Sequence, residues 1–217
     1  MKVIKMNKEH TEQQEKRTRM RGEERREFIL NRAKEVFARY GYADASTGEL
    51  ARASEVTEPM LYKHFGSKKG LFLAVMQEFG NSFVNLWRSR VNRRAENDLL
   101  EALTEIIMDY RAALKADPAI QKVLLQASSE TSDADIAQCM HKHNRNVYLL
   151  VRQLLERAQA EGYINPEIDL NAASWGYVSM ILSMQYALVL NLTGELNDEV
   201  MSRMSQIWLR GLRAPTS

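Results

Sequence analysis

The chain has 217 residues, of which 45% are hydrophobic and 27% are charged, with one cysteine and a formal net charge of +2. These proportions exclude a disordered, collagen-like or disulfide-built protein, and a chain of this length can bury a sizeable core without cross-links. Cys139 has no partner for an internal disulfide, and Met1–Gln14 lacks the apolar core of a secretory signal. We therefore expect a reducing, cytoplasmic location.

The net charge is unevenly distributed along the chain. Residues 1–70 carry 16 Lys and Arg against 11 Asp and Glu, whereas residues 71–217 carry 14 against 17. A basic cluster between Lys16 and Arg26 can neutralise DNA phosphates, although interspersed glutamates leave a solvated charged segment as the alternative. We treat residues 1–22 as a basic extension, and whether it reaches a minor groove stays open.

Three helices are predicted before residue 70. An amphipathic stripe predicts the first over Glu24–Tyr40, and Gly41 ends it. Ser46–Glu49 has the form of a capping box for a short second helix, while Thr57 offers an N-cap for a third that ends at Gly66. A longer helix followed by two short ones is the layout of a helix-turn-helix unit, whose second short helix enters a major groove.

The remainder of the chain is also predicted to be helical. Polar residues that can cap further helices are Ser67, Asn97, Asp117, Ser132, Asp169 and Asn197. Leu170–Gly194 is uncharged and long enough to cross a bilayer, but its polar residues and acidic flanks favour a buried or subunit-interface helix. The expected fold class is all-α, with a three-helix helix-turn-helix domain at 23–70 and a larger helical domain at 71–217.

The run LYKHFGSKKGLF at Leu61–Phe72, with Glu49–Thr57 before it, resembles the N-terminal domain of the TetR family of bacterial transcriptional regulators. The resemblance covers Glu24–Val75. It implies a homodimer whose two recognition helices read adjacent major grooves of a palindromic operator in double-stranded DNA. It also implies a C-terminal domain that binds a small-molecule effector and dimerises through its last two helices. We expect no cofactor.

The resemblance also implies a DNA-binding set. Its members are Ser46, Thr47, Thr57, Glu58, Pro59, Met60, Tyr62, Lys63, His64 and Lys68. Thr57, Tyr62, His64 and Lys68 match positions that contact phosphate, which fixes register without reading sequence. Base reading falls to Glu58, Pro59, Met60 and Lys63. Lys63 can donate to guanine and Glu58 can accept from cytosine, while the other two can only make apolar contacts.

Two residues depart from the family pattern. Glu55 stands where the family usually has a turn glycine, which would place a non-glycine residue at positive φ at a cost of roughly 1 kcal/mol. Thr47 stands where an apolar residue usually packs. We expect a reshaped turn and a less firmly started second helix.

Effector-lining candidates are Phe83, Trp87, Tyr110, His143, Tyr148, Trp175 and Ser179, with ordinary core packing as the alternative for each. They predict an uncharged or weakly polar, largely hydrophobic effector. Cys139, His141 and His143 do not share one helix face, so we expect no metal site. No catalytic motif is recognised, so an enzyme is not supported.

The sequence thus predicts a TetR-like repressor that a small hydrophobic effector releases from a palindromic operator. The alternative is a helical protein-interaction module of the same fold that has lost operator binding. No membrane association is expected.

Overall fold

The computed structural model describes residues 2–213, with the side chains of residues 22–187 and 190–213. Within this part of the chain every regular element is a helix, which confirms the all-α class. The helices are α1 Lys2–Asp44, α2 Thr47–Ala53, α3 Glu58–Phe65, α4 Lys68–Asn97, α5 Leu99–Ala116, α6 Pro118–Ala127, α7 Ala134–Ala160, α8 Leu170–Val189 and α9 Asp198–Leu212.

Helix α1 begins at Lys2, so the expected start near Glu24 was wrong. No glycine or proline precedes Gly22, and pairs such as Glu12 and Lys16 have the i, i+4 spacing that supports a helix. Side chains up to Arg21 lie outside the described residues, and with them most of the basic cluster. Gly41, with φ 84°, interrupts α1 as predicted.

The chain divides into two compact units, residues 1–76 and residues 77–217. The first unit packs α1, α2, α3 and the first residues of α4 around buried leucines and two aromatic rings. Phe37 and Phe72 meet edge to face with ring centroids 4.9 Å apart, and Leu50 and Leu61 are fully buried. Their burial anchors the two short helices to α1 and α4. The expected boundaries at residues 22 and 70 stay predictions.

In the second unit, three side chains donate hydrogen bonds to backbone carbonyls of α5. Trp87 Nε1 of α4 donates to Ile106 at 3.0 Å, Tyr177 of α8 to Leu103 at 3.2 Å, and Ser205 of α9 to Thr104 at 2.7 Å. Because these polar groups are buried among apolar side chains, each bond fixes the position of its helix on α5.

Most of the predicted caps are present. Ser46 completes a capping box, Ser67 Oγ accepts from Gly70 N at 2.9 Å, and Asp117, Asp169 and Asn197 each cap their helix. These side-chain oxygens accept first-turn amides that have no partner inside the helix.

Two predicted caps were wrong by one residue. Asp98, not Asn97, caps α5, and Asp133, not Ser132, caps α7. Asp98 Oδ1 accepts from Glu101 N at 2.9 Å. In both places an ionised carboxylate stands next to the expected neutral side chain, and charge-assisted bonds to first-turn amides are the stronger ones.

Candidate nucleic-acid interface

The start of α2 is fixed by a reciprocal cap. Ser46 Oγ accepts from Glu49 N at 3.2 Å, while Ser46 N donates to Glu49 Oε2 at 3.0 Å. The hydrogen bonds from Ser46 hold the pKa of the Glu49 carboxyl below its usual value. The cap therefore offsets the weak start expected from Thr47 and Gly48.

The turn between α2 and α3 closes with Glu55 in the left-handed region, at φ 54°. This confirms that a non-glycine residue occupies the position of positive φ. Glu55 N donates to Arg52 O at 3.2 Å and Val56 N to Ala51 O at 3.1 Å, so two carbonyls at the end of α2 are bonded by the turn. The turn keeps its hydrogen bonds, and the left-handed Glu55 costs about 1 kcal/mol.

Thr57 has the extended backbone of an N-cap but makes no side-chain cap bond, so the predicted hydroxyl cap was wrong. A cap side chain accepts from the second or third helical amide. In α3 the second residue is Pro59, which has no N–H, so only the amide of Met60 is left to donate. The Thr57 side chain is exposed.

Helix α3 buries one side chain fully and exposes most others. Leu61 is 1% exposed and Phe65 is half-buried, with the Arg26 guanidinium 5.7 Å from its ring. Met60 is 45% exposed and Tyr62 is 42% exposed. The other exposed members of the predicted DNA-binding set in α3 are Glu58, Pro59, Lys63 and His64. Helix α3 is short and has basic residues in its last turn. The solvent exposure of an apolar Met and an aromatic ring on such a helix is typical of a binding surface.

The two short helices are bonded to each other through this surface. Tyr62 Oη donates to Thr47 Oγ1 at 3.3 Å, so a polar Thr47 has a defined partner where an apolar residue was expected to pack. Thr47 is half-buried and Ser46 is exposed. The structure thus brings together Thr47 and Tyr62 of the predicted set.

Lys68 has a role that the sequence did not reveal. Its Nζ donates to Ala43 O at 3.0 Å and to Ala45 O at 3.1 Å, and lies 5.0 Å from the Tyr42 ring centroid. The ammonium therefore bonds carbonyls of the short stretch that follows Gly41 and leads into α2. Two of its three donors bond the protein itself. Its contact with phosphate stays a prediction.

Sequence reasoning also missed a cleft between α1 and α2. Arg32 and Arg39 line it from α1 and Arg52 from α2, together with Glu35 and Glu49, around about 370 Å³. The signal available in the sequence was the seven-residue spacing of Arg32 and Arg39, which places both on one face of α1.

Comparison with known proteins decides the family. Residues 29–75 match the family model described as bacterial regulatory proteins, tetR family. The DNA-binding domain at these residues is of the TetR family. The chain is 26% identical over 189 residues to the HTH-type transcriptional regulator QacR of Staphylococcus aureus, covering 85% of this chain and 96% of that protein. The relatives that the comparisons find are transcriptional regulators of this family, not enzymes.

Two further similarities differ in what they cover. The transcriptional activator FasR of Mycolicibacterium smegmatis is 37% identical over 93 residues, which is 42% of this chain and 42% of that relative. The match therefore spans less than half of FasR. The structure of FadR from Bacillus subtilis in complex with stearoyl-CoA is 19% identical, with a TM-score of 0.68, over 88% of this chain and 98% of that one. That likeness shows the shared fold.

In the second unit, four of the predicted effector residues lie together. Phe83 and Trp87 meet the Tyr110 ring edge to face at 4.9 and 5.2 Å, and His143 lies 6.2 Å from Phe83. Burial lowers the pKa of His143 to about 4, so the ring is neutral at pH 7. Burial raises the pKa of Tyr110, whose Oη accepts from Gln185 Nε2 at 2.6 Å. These rings fill the interior together.

The other three predicted effector residues lie elsewhere. Trp175 is 54% exposed and stacks on Tyr148 with ring centroids 5.3 Å apart. Tyr148 Oη donates to Asn171 Oδ1 at 2.8 Å, and Ser179 Oγ donates to Trp175 O within α8. They form a surface cluster of α7 and α8, so the seven candidates do not share one site.

Cys139 is half-buried on α7, and burial raises the pKa of its thiol. Among the described residues, no cluster of three or more metal-binding side chains occurs. In that same part of the chain, no helix combines the length and apolar character that a membrane crossing needs.

Proposed function

We propose that this chain is a homodimeric repressor that binds a palindromic operator and is released by a small hydrophobic effector. The observation that carries the proposal is the exposed face of α3, where Met60, Tyr62 and Lys63 face solvent while Leu61 anchors the helix. A helix held this way can enter a major groove without unfolding its own support. The family membership supports the same reading.

Two kinds of DNA contact are proposed for this surface. Lys63 donates to guanine and Glu58 accepts from cytosine, while Pro59 and Met60 contact a thymine methyl group. The hydroxyls of Ser46, Thr47, Thr57 and Tyr62, with His64 and Lys68, bind phosphates and set the register. Ser46 and Tyr62 do so by turning O–H donors that bond Glu49 and Thr47 in the free protein. Since the Thr57 side chain makes no cap bond, its hydroxyl can turn its O–H donor towards a phosphate oxygen.

The proposed dimer interface is the outer face of α8 and α9. Large apolar residues remain exposed there, notably Tyr186 at 53%, Leu190 at 61% and Ile207 at 67%. Within the chain, Trp208 of α9 packs directly against Gly176 of α8, where a Cβ atom would overlap its indole ring. The two helices thus present one surface, and a second copy would cover the exposed side chains.

The proposed effector is hydrophobic because the interior near Tyr110 is aromatic and FadR of Bacillus subtilis was solved with stearoyl-CoA. Since the rings fill that interior, an effector can bind only a more open conformation of the second unit. It shifts the population towards this conformation because it binds the open conformation better than the closed one. The open state would change the spacing of the two α3 helices. We place this regulator in the cytoplasm, where its operator is.

Operator binding is tested by gel shift with duplex DNA that flanks the gene, against a random duplex of equal length. We expect preferential binding to the flanking DNA, and Lys63→Ala to cut the ratio of specific to random affinity by about tenfold or more. Lys122→Ala removes an equal charge from an exposed position of α6 and should leave that ratio unchanged. If no duplex binds at low salt, the interaction module is the better description.

The same experiment separates the two roles of Lys68. Lys68→Ala should reduce the slope of log affinity against log salt by about 1, because one phosphate contact is lost. Loss of the bonds to Ala43 and Ala45 lowers the folded fraction, which shifts the affinity but not that slope. An unchanged slope would limit Lys68 to its structural role.

The proposed interface predicts the oligomeric state of surface variants. Ile207→Glu places a charge in the centre of the apolar face, so we expect monomers in sedimentation experiments and loss of operator affinity of about 100-fold. Arg203→Glu is the control, because Arg203 is exposed and already pairs with Glu199 within α9. If the Ile207→Glu protein is still a dimer, the dimer interface does not include this face of α9.

A further inference from the structure

A second cavity of the molecule lies apart from the aromatic interior near Tyr110. It encloses about 150 Å³ between α5, α6, the end of α8 and the segment that precedes α9. Its lining includes Arg111, Lys115, Gln121, Met184, Ala187 and Leu196. None of the seven predicted effector residues is part of this lining.

One wall of the cavity is apolar. Leu114, Met184 and Ala187 are 2%, 5% and 4% exposed, so this wall belongs to the core of the second unit. An apolar cavity of about 150 Å³ is large enough to hold benzene. The apolar part of a ligand here is therefore about the size of one small ring or a short alkyl chain.

Two of the lining residues are cations, Arg111 and Lys115, and both pair with a carboxylate that lies outside the lining, Asp198. Arg111 Nε contacts Asp198 Oδ1, and Lys115 Nζ lies 3.2 Å from Asp198 Oδ2. Arg111 Nε and Asp198 Oδ1 are in contact, but neither atom makes a hydrogen bond of acceptable geometry with any described residue. The Arg111 side chain is 22% exposed and that of Asp198 is 47% exposed, so the carboxylate is the partner more open to water.

We propose that this cavity binds a small organic carboxylate with a short apolar body. Its carboxylate takes the place of Asp198 at Arg111 and Lys115, because a planar guanidinium donates two parallel hydrogen bonds to a well-aligned carboxylate. Its apolar body lies against Met184 and Ala187. Because Asp198 is the first residue of α9, binding releases the start of that helix from α5. This site and its ligand are distinct from the hydrophobic effector proposed for the aromatic interior near Tyr110.

Titration calorimetry on the full-length protein with hexanoate tests the site. We expect one site per chain with a Kd on the order of 1 mM or tighter, as suits so small a ligand. Hexanol has the same apolar body without the charge and should bind at least about tenfold more weakly. Acetate has the charge without the body and should show no measurable binding. Equal binding of hexanoate and hexanol, or no binding of hexanoate, would overturn the proposal.

Three variants assign the binding to this cavity. Arg111→Gln should weaken hexanoate binding at least about tenfold, and Lys115→Met about fivefold, because the Lys115 side chain is 63% exposed and its charge is screened. Asp198→Asn should tighten binding, since it removes the competing carboxylate. Weaker binding by Asp198→Asn, or unchanged binding by Lys115→Met, would contradict the exchange. Lys115 is on the surface, so we expect Lys115→Met to fold. It can therefore test the site even if Arg111→Gln does not fold.

Discussion

Replacing Gly70 with alanine should destabilise the first unit by about 3 kcal/mol and abolish operator binding. Gly70 lies in the first turn of α4, and a Cβ atom there would overlap the backbone carbonyl oxygen of Phe65, the last residue of α3. Backbone cannot move aside as a side-chain tip can, so α3 has to shift on α4. Hydrogen exchange of residues 46–65 in the full-length protein measures the loss, and a gel shift measures its effect on binding.

Gly66→Ala is the matched control for this substitution. Gly66 ends α3 with φ 75°, but no atom lies within 4 Å of a Cβ placed there. Its cost is therefore the left-handed backbone alone, about 1 kcal/mol. A Gly70→Ala protein as stable as Gly66→Ala would show that α3 and α4 are not packed as closely as the structure has them.

Local patterns predicted the helix-turn-helix unit because its signals are short in range. The capping box at Ser46 needs only the residue three positions on, whereas the positive φ at Glu55 was expected from the resemblance, in which a glycine usually stands there. The local capping rule gave a wrong prediction where a neighbouring residue removed the donor or supplied a better acceptor. Pro59 removed a donor that Thr57 could have accepted from, and Asp98 took the cap expected of Asn97.

The second unit was harder to predict because its contacts join residues far apart in sequence. Gln185 donates to Tyr110, which lies 75 residues before it, Ser205 donates to Thr104 across 101 residues, and Arg111 meets Asp198 in α9. No spacing rule brings such pairs together. Helical periodicity did place Phe83, Trp87 and Tyr110 on buried faces, but Trp175 has the same aromatic character and lies on the surface. Residue type alone does not separate core from surface.

Trp87→Ala should destabilise the second unit by about 4 kcal/mol, since a fully buried indole is replaced by a methyl group and a cavity. Trp87→Phe is the conservative control. It keeps a ring against Tyr110 and loses mainly the bond to Ile106 O, so about 1–2 kcal/mol is expected. Chemical unfolding of both variants, followed by circular dichroism, measures the difference between the lost volume and the lost hydrogen bond.

Indole then tests whether the interior is filled before any effector binds. Added indole should raise the melting temperature of Trp87→Ala, because a ligand that binds only the folded state stabilises it, and should leave the wild type unchanged. With the cavity beside Arg111 filled by hexanoate, an equal rise in the wild type would mean that space for a ring already exists near Tyr110. The proposed effector would then enter a preformed pocket, and release from the operator would not need the rings of Phe83, Trp87 and Tyr110 to separate.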